Sequence, residues 1–236
     1  MKIFLDAGHN NSGWDTGAAG FGLREQDITW EIAQKCGAIL QNNGIEVKYS
    51  RPNKTDNLGT DNASALSARV KLSDAWKADY FISIHCNAGG GTGTEVWIYE
   101  TGTVAEKLAQ VIDKKIVQRL DLHDRGVKTS TTLYVLKNGN CPSVLVETAF
   151  IDTQSDNEML QNRQQDFAQA IAAGIMEYIN WHGNAEIKTE SEVKTVEEAL
   201  KKLQDNGVIN SPDYWLQAVG VVNYLDKLLI NMANKL

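Results

Sequence analysis

Four side chains that can do acid–base or metal chemistry stand where apolar runs end or where a helix begins. His9 follows "KIFLDAG", His85 follows "YFISI", Glu147 closes "SVLV", and Glu25 opens a helical pattern after a glycine-rich loop. In a parallel sheet, ligands gather beyond the carboxyl ends of the strands, so these four positions can meet on one edge. Two imidazoles and one carboxylate are a common catalytic zinc shell with a fourth place open to water. A metal in such a shell lowers the pKa of its water toward 7. A further carboxylate must then take that proton and pass it to a leaving group, and Glu147 is free to do so.

Each residue also has a plainer reading. The chain has four histidines, His9, His85, His123 and His182, and a histidine at a strand end can be a polar group satisfied by hydrogen bonds. An acid in the first turn of a helix, such as Glu25, is favoured by the exposed N–H groups there. Glu147 is more telling, because an unpaired carboxylate closing an apolar strand is costly; a salt bridge to Arg69 or Arg125 is the alternative. The spacings are too long for a short signature such as H-E-x-x-H. Cys86 sits beside His85 but on a strand would point to the opposite face. The three cysteines, Cys36, Cys86 and Cys141, are odd in number and widely spaced, which reads as free thiols. Trp14 lies in the first glycine loop, where a sugar or peptide can stack on it. Asn87 either orients substrate or caps a turn, and "GGGTG" at 89–93 lacks the lysine of a phosphate loop.

The elements that must position these groups follow an α/β rhythm. "KIFL" at 2–5 reads as a buried strand and 8–24 as an irregular loop. From Glu25, residues Ile28, Ile32, Cys36, Ile39 and Leu40 fall on one helical face. "IEVKYS" at 45–50 is the next strand, and the alternation strand, helix, strand implies a mainly parallel sheet. A helix to about Ala78 follows, with Ser64 as its expected cap. "YFISI" at 80–84 is apolar throughout, as a central strand covered on both faces should be. "TEVWIY" at 94–99, "TLYVL" at 132–136 and "SVLVE" at 143–147 complete the expected strands. Helices are expected over about 103–120 and over 163–181, the latter with Phe167, Ile171, Ile175 and Ile179 at intervals of four. The fold class is therefore α/β, a mainly parallel sheet flanked by helices, with a small C-terminal helical unit. The expected division is a catalytic domain over 1–182, a charged linker over 183–194, and a helical unit over 195–236 introduced by a Thr195–Glu198 capping box. A unit of that size is at the limit of independent folding, so docking or homo-oligomerisation is expected of it.

Of the 236 residues, 42% are hydrophobic and 22% charged, an ordinary globular composition. The net charge of −7 argues against nucleic acid as a partner, since backbone binding needs a cationic footprint. No apolar stretch reaches the roughly 18–20 residues that cross a bilayer, so no membrane insertion is expected. "MKIFLDAGHN" is too short in apolar residues for a secretory leader. The expectation is synthesis in the cytoplasm without a signal peptide.

Five blocks in order resemble the zinc-dependent N-acetylmuramoyl-L-alanine amidases of bacterial cell-wall hydrolases and phage endolysins: "LDAGHNNSGWDTGAAG" at 5–20, "GLREQDITWEIA" at 22–33, "ARVKLSDAWKADYFISIHCNA" at 68–88, "RGVKTSTTLYVLKNGNCPSVLVETAFID" at 125–152, and "DNEMLQN" at 156–162. The similarity covers about residues 2–180. It implies a twisted, mainly parallel sheet, with peptidoglycan as substrate and the amide between N-acetylmuramic acid and L-alanine as the bond cleaved. It also implies Zn2+ on His9, Glu25 and His85, with Glu147 as the catalytic proton carrier. Asn10 and Asn11 stand where the family often has glycines, and Ala149 where glycine is common; both departures lie beside the implied ligands and keep them intact. The tail, "EEALKKLQDNGVINSPDYWLQAV", is similar to helical segments of clostridial wall hydrolases and implies contact with wall polymer through Tyr214 and Trp215, residues that can equally pack a small core. With no export signal expected, action on the wall follows release, holin-dependent or lytic, as a phage or prophage lysin, with a host enzyme released by mother-cell lysis as the alternative. Two rival readings are a peptidase acting within the stem peptide and a wall-binding protein without turnover.

Overall fold

Side-chain alternation along four central strands decides which groups reach the site. The computed structural model describes residues 1–183 together with Leu200, Lys201, Leu203, Gln204, 209–211 and Trp215. The elements are β1 (Lys2–Ala7), β2 (Ala19–Gly20), β3 (Leu23–Arg24), α1 (Glu25–Asn42), β4 (Glu46–Tyr49), α2 (Asn62–Trp76), β5 (Tyr80–Asn87), β6 (Thr94–Ile98), α3 (Val104–Leu120), β7 (Asp124–Thr129), α4 (Tyr134–Lys137), β8 (Ser143–Phe150), α5 (Gln154–Asn162) and α6 (Gln164–Gly183). Six strands form one sheet in the order β4-β1-β5-β8-β6-β7. Neighbours run parallel except β6 against β8. The mainly parallel α/β sheet read from the sequence is the one observed.

One face of the sheet is mostly apolar, with the buried Thr94 and Thr148 among its few polar residues. Ile3, Leu5, Ile82, Ile84, Val144 and Val146 are fully buried there, in one core with Ile28, Ile32 and Leu40 of α1, Leu108, Ile112 and Ile116 of α3, and Phe167, Ile171 and Ile175 of α6. Each such side chain contributes roughly 1.5–3 kcal/mol of burial. The other face changes character along the strands. Phe4, Phe81 and Leu145 pack with Val70 of α2 and with Val135 and Leu136 of α4. Two residues on from Phe4 is Asp6, from Phe81 is Ser83 and then His85, and from Leu145 is Glu147. Because β6 runs the other way, Trp97 is followed toward the same edge by Glu95. An apolar floor thus grades into a polar edge, and that edge carries the candidate site residues.

Three readings need correction. "TLYVL" is not a strand: Tyr134–Lys137 is a short helix, and the edge strand is Asp124–Thr129, whose lone apolar residue is Val127. Short apolar runs do not distinguish strand from helix, and an edge strand can be polar. Asp61, not Ser64, caps α2; its side chain accepts from Ser64 N at 2.7 Å while Ser64 Oγ accepts from Asp61 N at 3.0 Å. His85 and Glu147 do not end their strands, since β5 runs on to Asn87 and β8 to Phe150.

The chain divides into two units, Met1–Ile179 and Asn180–Leu236. The linker reading for 183–194 beyond Gly183, the Thr195–Glu198 cap and Tyr214 lie outside the described residues. No helix among the described residues is long and apolar enough to cross a membrane.

Candidate metal centre and active site

Residues distant in sequence meet where β1, β5 and β8 reach the polar edge. After β1 the chain bends sharply, and His9 takes φ 63°, a left-handed conformation that non-glycine residues rarely adopt and that collects at functional sites. Two buried arginines brace this bend. Arg69 donates to Asp6 Oδ1 at 2.6 Å, to the Ala7 carbonyl at 2.7 Å and to the His9 carbonyl at 2.6 Å. Arg51 donates to the carbonyls of Gly8 at 3.2 Å and Gln26 at 2.8 Å. Burial works against ionisation of Asp6, yet Arg69 and Ser83 outweigh it and hold its carboxyl below the ordinary range.

Glu25 opens α1 and is almost fully buried. One of its oxygens, Oε1, lies 3.1 Å from His9 Nε2 and 3.0 Å from His85 Nδ1. The other accepts from Ala18 N at 2.8 Å. The two imidazoles meet edge to face with centroids 4.8 Å apart. One donor atom from each of His9, Glu25 and His85 lies within 4.8 Å of the others. Two nitrogens and one carboxylate oxygen converging in this way match the donor chemistry of a zinc site. The other nitrogen of His9, Nδ1, is 2.6 Å from Asp15 Oδ1. A carboxylate on Nδ1 fixes the tautomer and leaves Nε2 its lone pair, the usual support for a metal-binding histidine.

Glycine is required beside both rings. A Cβ added to Gly8 would fall 2.6 Å from His85 Nε2, and one added to Gly17, where φ is +71°, would fall 2.6 Å from His9 Cδ2 and 2.7 Å from Glu25 Oε2. Burial lowers the His9 pKa, but hydrogen bonds to Asp15 and Glu25 prevail and raise it to about 9. Burial likewise raises Glu25, while its two histidine neighbours prevail and hold it far below the carboxylate range.

Glu147 pairs with His85 across β5–β8 and with Glu95 across β6–β8. Its Oε2 is buried without a hydrogen-bond partner. Burial foremost, and then the negative charges of Glu25 and Glu95 against the opposing pull of His85, puts its pKa at about 7. The alternative of a salt bridge to Arg69 or Arg125 is not met, since Arg69 pairs with Asp6 and Arg125 with Glu95. Asn87 turns toward Glu95 Oε1, donating at 2.9 Å. Cys86 faces the apolar core, where burial drives its thiol pKa far up. Trp14 is exposed on the loop between His9 and Glu25.

Sequence reasoning missed Asp15, Glu95 and the two arginine braces. Asp15 had a signal, a lone acid in the glycine loop six residues after His9. Glu95 had the signal that singled out Glu147, one acid in an apolar strand.

This fold and site define an α/β protein with a three-donor candidate metal centre and a buried acid beside it. A family model described as N-acetylmuramoyl-L-alanine amidase matches residues 3–177. The chain is 36% identical over 207 residues to the sporulation-specific N-acetylmuramoyl-L-alanine amidase of Bacillus subtilis, covering 86% of this chain and 74% of that one. It is 35% identical over 189 residues to the endolysin of Bacillus phage SPP1, covering 75% and 66%. Among solved structures, the amidase AmiC2 of Nostoc punctiforme aligns with a TM-score of 0.67 and 32% identity over 76% of this chain and 97% of that one. The chain belongs to the N-acetylmuramoyl-L-alanine amidase family. It is an enzyme of peptidoglycan hydrolysis.

Proposed function

We propose that the protein is a zinc-dependent amidase acting as a phage or prophage endolysin, with His9, Glu25 and His85 as the metal ligands and Glu147 as the catalytic acid–base. The observation that carries this reading is the convergence of one donor atom from each of the three within 4.8 Å, with Asp15 on the remote nitrogen of His9. Zinc bound there supplies Lewis-acid chemistry, polarising a carbonyl and making water easier to deprotonate. Glu147 takes a proton from the water that attacks the lactyl carbonyl and delivers it to the departing L-alanine nitrogen. Its burial and its unpartnered Oε2 suit a group that must exchange a proton near neutral pH. Asp15 holds the His9 ring, and Arg51 and Arg69 hold the bend that aims it.

The endolysin reading is supported by likeness to the phage SPP1 endolysin; likeness to the sporulation-specific amidase favours release by mother-cell lysis as the second reading. The 195–236 unit is proposed to bind wall polymer, with homo-oligomerisation as the competing outcome. A chain ending at Gly183 then keeps cleavage of soluble muramoyl peptides and loses sedimentation with purified walls. Equal sedimentation of the short and full chains contradicts wall binding by this unit, and a change of mass in solution favours oligomerisation. Mass spectrometry of digested peptidoglycan tests the reaction: a new L-alanine amine beside intact muramic acid, lost with a chelator and restored by zinc. New amines within the stem peptide would contradict it.

A further inference from the structure

The register of four strands carries the polar row beyond Glu147. His85 of β5 pairs with Glu147 of β8, and Glu147 pairs with Glu95 of β6. The β6–β7 register then shifts between Thr94 and Val96, from Thr94↔Asp124 to Val96↔Val127. That bulge sets Arg125 and Gly126 against Glu95. The row from the candidate metal centre is therefore His85, Glu147, Glu95, Arg125, in steps of roughly 4.8 Å per strand.

Glu95 is buried, yet it is saturated by four donors. Its Oε1 accepts from Asn87 Nδ2 at 2.9 Å and Trp97 Nε1 at 3.0 Å. Its Oε2 accepts from Arg125 Nε at 2.6 Å and from Lys128 Nζ. One carboxylate thus neutralises half of a two-cation pair, and both cations keep about 30% of their side-chain surface (29% and 32%). Aromatic rings stiffen both: the Arg125 guanidinium lies 4.9 Å from the Phe150 centroid, and Lys128 Nζ 5.5 Å from the Trp97 ring. Arg125 spends only Nε on Glu95. Its terminal Nη1/Nη2 fork has no protein partner among the described residues. A rigid, partly exposed guanidinium fork with surplus positive charge is matched to a carboxylate held by two parallel hydrogen bonds.

We infer that Arg125, held in place by Glu95 and assisted by Lys128, binds a carboxylate of the peptide on the leaving side of the scissile amide. The inference rests on the reading that places Glu147 at the reaction centre. An extended peptide advances about 3.3–3.6 Å per residue, and β7 lies about two strand steps, roughly 10 Å, beyond Glu147. With the reach of the arginine side chain subtracted, the fork meets the residue after L-alanine, and the group it recognises is that residue's free α-carboxylate. The same residue with an α-carboxamide offers no charge there and sets amide N–H donors against the fork.

The test uses two soluble substrates whose γ-carboxyl is blocked by a further residue, N-acetylmuramoyl-L-alanyl-γ-D-glutamyl-L-lysine amide with a free α-carboxylate and its counterpart with an α-carboxamide, with the zinc-loaded full chain. Wild type is expected to favour the acid about tenfold in kcat/KM, mostly through KM, as suits a charge-assisted pair. R125Q is expected to erase that preference, lowering kcat/KM on the acid about tenfold more than on the amide, and R125K to keep part of it. A role confined to holding Glu95 would instead shift both substrates alike. Equal cleavage of the two by wild type, or a preference that survives R125Q, overturns the carboxylate site and leaves the placement of Glu147 standing. Cleavage that is equally fast in an E147A variant overturns that placement, and this inference with it.

Discussion

Removing the carboxylate behind His9 should weaken the proposed metal centre in graded steps. Asp15 Oδ1 lies 2.6 Å from His9 Nδ1, and Asp15 Oδ2 lies 3.7 Å from Arg69, so Asp15 is itself fixed. A hydrogen bond to a charged group is worth about 1.5–3 kcal/mol and a neutral one about 0.5–1.5 kcal/mol. D15N keeps an acceptor but loses its charge, a difference of about 1–1.5 kcal/mol, or roughly tenfold in zinc affinity. D15A frees the ring to rotate and to carry its proton on either nitrogen. Its expected loss approaches 100-fold, the upper range for supporting groups of metal ligands. The assay is competition with a chromophoric chelator at fixed pH, with far-ultraviolet dichroism to confirm the fold. The expected order of zinc dissociation constants is wild type, then D15N, then D15A. Equal affinities in all three folded proteins would refute the claim that Asp15 orients a metal-binding nitrogen.

Other expectations follow from packing and charge. G17A puts a methyl group 2.6 Å from His9 Cδ2 at a φ of +71°; it should lower the melting temperature by several degrees, the strain costing about 1–2 kcal/mol, and reduce zinc bound per chain, and full zinc occupancy would contradict it. Asp113 of α3 is buried with Oδ1 unpartnered; burial first, and Asp124 next, push its carboxyl from 3.8 up to about 7. The folded state therefore binds a proton that the unfolded state has released between pH 4 and 7, and stability falls as pH rises through that window. D113N should then stabilise the protein on the order of 1–3 kcal/mol at pH 8 and much less near pH 4 in thermal melts; a gain independent of pH would contradict the assignment.

Much of this was legible in the sequence, for reasons that differ by residue. His9, His85 and Glu147 stood out because each follows or interrupts an apolar run, where a polar group must have a purpose or a partner. The α/β sheet was legible because β1, β5 and β8 are buried on both faces and read as continuous apolar stretches. β7 was hidden because an edge strand needs no such run, and "TLYVL" misled because its Val135 and Leu136 are buried from a single helical turn. Asp15 and Arg125 are placed by geometry alone. A loop contact across six residues and a bulge that pairs Arg125 with Glu95 leave no periodic trace in the chain.

Zinc content and turnover measured together on the same preparations of wild type, H9A, H85A and E147A test the central claim most directly. The expected result is one zinc per chain in wild type and E147A, little in H9A and H85A, and cleavage lost in all three variants, by well over ~100-fold in E147A as for a missing proton carrier. Full cleavage by protein stripped of metal, or by E147A, would contradict it.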